Sequence, residues 1–108
     1  MKARLPDRTG HLAAFLRRAA RDRRISPSHI VLFLGLYQQW AAGCFQNPFA
    51  VNRRKVMAVA KISSRVTYHK CIRELHRWGY LYYDPSCDYY SGSLVYLYFF
   101  EEQKQERE

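Results

Sequence analysis

The chain has 108 residues, enough for one domain but not for two independently stable cores, and its 48% hydrophobic and 25% charged content excludes a globally disordered polymer. Lys and Arg outnumber Asp and Glu by 18 to 9, and the resulting net charge of +9 favours polyanionic partners through electrostatic steering and counterion release. Three cysteines without paired spacing argue against a disulfide framework, and no apolar stretch reaches the roughly 18 residues of a membrane span, so the expectation is a cytoplasmic protein with no membrane contact.

In chain order, residues 1–10 contain Pro6 and Gly10 without sustained periodicity and read as a flexible arm. Thr9 is a candidate cap for an extra basic helix within 10–24, running to about Arg23. Leu12, Phe15, Leu16 and Ala19 recur there at helical spacing. Arg17, Arg18, Arg21, Arg23 and Arg24 form its other face, a second DNA-backbone contact or a solvated surface. The apolar run 12–16 is followed at once by Arg17 and Arg18, which removes a signal-peptide reading.

Ser26 and Pro27 signal the start of a helix over 27–42, with Ser as N-cap and Pro in the first helical position. That helix is apolar nearly all round. Ile30, Phe33, Leu34, Tyr37 and Ala41 form one stripe, and Val31, Leu32, Leu36 and Trp40 fill much of the remainder. A helix of this kind is buried on more than one side, so a homodimer contact is expected here. After Gly43, Asn47 and Pro48 mark a turn before a short strand over 49–51.

Asn52 caps a short helix over 53–60, with Val56, Val59 and Ala60 turned inward. Ser63 then caps a helix over 64–78 that stops at Gly79. The runs 80–84 and 94–100, rich in Tyr, Leu, Val and Phe, form an antiparallel hairpin around a nine-residue loop, followed by a polar tail over 101–108. The fold class is therefore mainly α with a small antiparallel β-hairpin, in one domain whose core spans 25–100.

The stretch VNRRKVMAVAKISSRVTYHKCIRELHRWGYLYY resembles the second and third helices and first wing strand of winged helix-turn-helix regulators of the broad MarR and GntR kind. Ile72, Leu75, Trp78, Gly79, Tyr80 and Leu81 carry the apolar pattern that closes the reading helix and opens the wing. More narrowly, KISSRVTYHKCIREL, GY, DPS and GS are similar to small winged-helix proteins encoded near mobile elements in Bacteroides-type bacteria and described as transcriptional regulators. The resemblance implies a winged helix-turn-helix with an added N-terminal helix, binding double-stranded DNA in transcription regulation.

A helical wheel of 64–78 is two-faced. Tyr68, Ile72, Leu75 and Gly79 cluster with Trp78 and Cys71 on the flank, while Val66, Lys70, Arg73 and Arg77 lie opposite. A helix in the major groove offers its first turns to base edges. Arg65 is placed to read guanine, Val66 or Thr67 to touch a thymine methyl, and Ser63 or Ser64 to hold phosphate, with His69, Lys70 and Arg73 next in reach. Arg53, Arg54 and Lys55 open the preceding helix, where contacts to the DNA backbone position without specifying. The bland alternative is a solvated basic face.

The wing departs from the family pattern: 84–93 carries two aspartates, Tyr89 and Tyr90 but no basic residue, so minor-groove contact is not expected of it. Its strand tyrosines are read as sheet packing rather than a base-stacking platform. His69, Cys71 and His76 lack metal-ligand spacing, and no nucleotide-binding or catalytic motif occurs. No metal, cofactor or catalysis is expected. The rival functions are an accessory factor in replication, excision or transfer of a mobile element, and a winged helix used for protein association through its tyrosine-rich hairpin.

Overall fold

The computed structural model describes residues 9–85 and 92–98. The chain divides into two compact units, one of Met1–Arg24 with Phe99–Glu108 and one of Ile25–Tyr98. In the first, the described structure is α1 (Thr9–Ala20) and the turn after it. Thr9 is part of the helix rather than its cap, and the helix stops short of the expected Arg23. Arg21 and Asp22 donate their N–H groups to the carbonyls of Arg18 and Ala19, both at 3.1 Å, and this i to i−3 spacing tightens and closes the last turn. Asp22 then accepts two hydrogen bonds from the Arg24 guanidinium, each 2.8 Å. Phe15 and Ala19 are buried, whereas Leu16, expected on the same stripe, is 43% exposed.

The second unit begins with α2 (Pro27–Ala42), started by Ser26 in extended conformation and Pro27 in the first turn. Ser26 donates both its N–H (3.0 Å) and its hydroxyl (2.8 Å) to His29 Nδ1, a local cap built from a histidine. The buried stripe is His29, Leu32, Phe33, Leu36 and Trp40; of the expected stripe Ile30, Phe33, Leu34, Tyr37 and Ala41, only Phe33 belongs to it. With apolar side chains on nearly every face, periodicity alone does not select the innermost one. None of α2's large apolar side chains is exposed, so the case for a subunit contact there is reduced to the half-buried Ile30, Val31, Leu34 and Tyr37.

β1 (Phe49–Ala50) leads into α3 (Arg53–Ala60), whose cap Asn52 accepts from the Lys55 N–H at 3.1 Å. Val56, Met57 and Ala60 are its buried residues; Val59, expected inside, is 52% exposed. The helix lies close against α2: a Cβ on Gly35 would stand 3.2 Å from Val56 Cγ1 and 3.3 Å from the Val56 carbonyl oxygen. Gly35 lets the backbones approach this far.

α4 (Arg65–Arg77) is capped by Ser64, whose hydroxyl accepts from the Thr67 N–H at 3.1 Å. The expected cap, Ser63, sits one position too early. Gly79, at φ 84°, closes the helix, with its N–H on His76 and that of Tyr80 on Leu75. This reversal favours glycine, and it turns the chain straight into β2 (Leu81–Asp84).

β3 (Leu94–Leu97) pairs antiparallel with both β2 and β1, so the short strand expected over 49–51 joins the hairpin and the sheet has three strands in the order β1-β3-β2. Asn47 extends the β1 side: its amide donates to the Leu97 carbonyl at 2.9 Å and accepts from the Leu97 N–H at 3.0 Å. Leu81, Tyr83, Val95 and Leu97 face inward with Tyr68, Ile72 and Leu75 of α4 among the core residues. Phe99 and Phe100, expected in the last strand, lie outside the described residues, as do the arm and the polar tail. No described helix is long and apolar enough to cross a membrane.

Candidate nucleic-acid interface

Two short helices joined by a tight turn position the candidate residues. α3 ends at Lys61, which takes the left-handed conformation (φ 61°). Its N–H meets the Ala58 carbonyl at 3.3 Å and that of Ile62 meets Met57 at 3.0 Å, so Ile62 is tucked inside and Ser63 and Ser64 swing outward into the start of α4. The core then fixes α4 by one face, since Tyr68, Cys71, Ile72 and Leu75 are buried. Burial, with the Tyr83 phenol adding to it and Arg53 opposing, pushes Tyr68 up to about 12.

The opposite face is open. Ser63, Ser64, Arg65, Lys70, Arg73 and Arg77 are exposed, Val66 is 78% exposed, and Thr67 and His69 are half-buried. The Ser64 hydroxyl is committed to the helix cap. His69 donates from Nδ1 to the Arg65 carbonyl at 3.0 Å. The first turn of α4 contains no acidic residue to compete for its free N–H groups.

Two shallow grooves collect most of these side chains. One, of about 590 Å³ between α3 and α4, takes Arg53, Arg54, Lys61, Ser63 and Arg65. The other, of about 450 Å³ along α4, takes Arg65, Val66, His69, Lys70, Arg73 and Arg77. Arg65 borders both. Lys61 and Arg77 are additions to the sequence-derived site. Arg77 was visible on the wheel, whereas only the left-handed turn reveals Lys61. Lys55 is set apart from the rest: it lines a third groove, of about 640 Å³, with Gly35, Gln38, Phe49 and Val59.

Glu74, the one acidic residue of α4, is held by His29 Nε2 at 2.8 Å. Cys71 joins them: the ligating atoms of His29, Cys71 and Glu74 all lie within 4.8 Å of one another, a set capable in principle of holding a metal ion. The hydrogen-bond roles oppose that use. The Ser26 N–H can only donate, so His29 Nδ1 accepts and the ring proton resides on Nε2, where a metal would have to bind. Burial, reinforced by the Glu74 carboxylate and opposed by Lys70, also pushes the Cys71 thiol up, away from the thiolate that a metal needs. The trio is a strut between α2 and α4. His69 and His76, weighed with Cys71 on sequence, do not share its place.

The strand tyrosines divide. Tyr80 and Tyr83 are packed inside, but Tyr82, Tyr96 and Tyr98 are 52%, 44% and 38% exposed. Reading all of them as packing residues accounts for only the first pair. Asp88, Tyr89 and Tyr90 of the loop lie outside the described residues. In comparisons with known proteins, the chain matches no family model, no curated protein and no solved structure.

Proposed function

We propose that the chain is a winged helix-turn-helix protein that binds double-stranded DNA with sequence specificity, as a bacterial transcriptional regulator, and inserts the N-terminal half of α4 into the major groove. The observation that carries this reading is the division of α4 into a buried face and an open one. Arg65, Val66, Lys70 and Arg73 are presented outward while Tyr68, Ile72 and Leu75 fix the helix to the core. The helix, strand, helix, turn, helix, hairpin order and the β1-β3-β2 sheet support it.

In this reading Arg65 contacts guanine, Val66 and Thr67 contact thymine methyls, and Lys70 and Arg73 follow the groove. Arg53, Arg54 and Lys61 hold one backbone from the α3 side, with Ser63 nearby. A homodimer, on half-sites spaced by one helical turn, is part of the proposal; static light scattering that finds only monomer at working concentration removes that part.

Titrating the protein into its own upstream DNA and an unrelated duplex at several salt concentrations tests the core of it. Arg65→Ala should cost roughly 1 to 3 kcal/mol on the preferred sequence only, and Lys70→Ala should reduce the salt slope by about one. Salt-insensitive binding, or binding unaltered by both changes, overturns the reading. Where the preferred site falls, at a promoter or at an origin or recombination end, separates transcription control from an accessory role in a mobile element.

A further inference from the structure

The outer face of the sheet carries a row of aromatic side chains that neither the core nor α4's open face uses. Tyr82 and Tyr96 are register partners on neighbouring strands, and the Tyr96 and Tyr98 rings are 6.0 Å apart. His76, at the end of α4, continues the row with its ring 5.1 Å from that of Tyr82. Its Nδ1 accepts from the Tyr83 N–H at 3.0 Å, which fixes the ring and turns Nε2–H outward. None of the three tyrosine hydroxyls has a hydrogen-bond partner among the described residues. Arg73 lies one turn before His76 on the same flank of α4, and Arg77 follows it. Asp84, on the same face of β2 as Tyr82 and half-buried, bounds the row toward the loop.

We infer that this face binds single-stranded DNA, with unpaired bases stacking on Tyr82, Tyr96 and Tyr98 and the phosphates drawn to Arg73 and His76. A duplex keeps its base faces inside the stack and has little to offer a phenol ring, whereas an unpaired strand presents base faces for stacking together with its phosphates. A protein partner gains most from a wide apolar centre depleted of charge; this row is three rings wide, with Arg73 and Arg77 beside His76 on the α4 side and Asp84 toward the loop. The choice of DNA over RNA rests on the duplex reading of α4. The stacking face itself does not.

The test uses the whole chain and a labelled oligodeoxythymidine of about 12 nucleotides, followed by fluorescence anisotropy and by quenching of tyrosine emission, beside an abasic oligomer with the same number of phosphates. The thymidine strand should bind at least about tenfold more tightly than the abasic one. Tyr82→Ala and Tyr96→Ala should each weaken it by about 5- to 100-fold. The double change to Phe, which keeps both rings, should leave it in place. Tyr96→Ile, which keeps strand propensity without a ring, should behave as Ala does.

Equal affinity for the abasic strand, or binding indifferent to loss of the rings, overturns the inference. So does a set of variants that alters only the oligomeric state by light scattering, which would make the face a contact between copies. Tighter binding to oligouridine overturns the assignment to DNA. Arg65→Ala separates the two surfaces: it should weaken duplex binding and spare the single strand, so either reading can fail alone.

Discussion

His29 Nε2 donates to Glu74 Oε1 across 2.8 Å and so joins the first turn of α2 to the last turn of α4, the helix proposed to read DNA. The same imidazole accepts from the Ser26 N–H through Nδ1, so one side chain both caps a helix and spans two. His29→Ala removes these bonds, together with that from the Ser26 hydroxyl, from a residue only 5% exposed, and should lower unfolding free energy by about 2 kcal/mol in urea titrations. Glu74→Gln keeps an acceptor oxygen and should cost less than about 1 kcal/mol. Equal losses for the two changes would mean that the carboxylate of Glu74, and not merely an acceptor oxygen at that place, holds the helices together.

Tyr68 makes the core sensitive to alkali. Its phenol is pushed up to about 12 from an ordinary 10.0 by burial first. Below pH 10 the phenol is protonated in both folded and unfolded chains, and its contribution is fully present. Between about pH 10 and 12 the unfolded chain loses the proton while the folded one keeps it, so stability falls as pH rises. The full loss is on the order of 2 to 3 kcal/mol, since one unit corresponds to about 1.4. Thermal melts from pH 8 to 12 should fall less steeply for Tyr68→Phe than for the parent chain; parallel curves would remove Tyr68 from the account.

Much of the second unit can be read from its sequence because the signals there are local. Ser26–Pro27, Asn52 and Gly79 each specify a helix end by their own stereochemistry, and the wheel of α4 separates Tyr68, Ile72 and Leu75 from Lys70 and Arg73 without outside help. Other features depend on residues distant in the chain. α2 offers several apolar stripes, and only the packing of α3 at Gly35 and of Glu74 at His29 selects one. The strand expected over 49–51 is present as Phe49–Ala50, but nothing local assigns it to the far edge of β3. Lys55 looks equivalent to Arg53 and Arg54 in sequence, yet it faces the groove shared with Gly35 and Phe49.

Lys61 separates stability from binding. It holds a left-handed conformation that costs a residue with a Cβ about 1 kcal/mol, at the turn where glycine is the usual choice. The retained lysine borders the groove between Arg53, Arg54 and Arg65. Lys61→Gly should therefore raise stability by roughly 0.5 to 1 kcal/mol while weakening duplex binding and lowering its salt slope by about one. A gain in stability with unchanged DNA affinity would place the backbone contact elsewhere.

The two serines ahead of α4 distinguish local structure from contact with a ligand. Ser64 spends its hydroxyl on the Thr67 N–H, so Ser64→Ala should cost about 1 kcal/mol of folding free energy in denaturant titrations. Ser63 is exposed and has no such bond among the described residues, so Ser63→Ala should leave stability within about 0.5 kcal/mol. If Ser63 holds a phosphate at the mouth of the α3–α4 groove, that variant nonetheless weakens binding to related and unrelated duplexes alike, because phosphate contacts carry no sequence information. Ser64→Ala, once corrected for its fraction folded, should retain the parent's preference among sequences. The reverse pattern, with Ser63 governing stability, would start α4 one residue earlier and commit the Ser63 hydroxyl to the cap instead of a phosphate, while the buried face of Tyr68, Ile72 and Leu75 keeps Arg65, Val66 and Lys70 where they are.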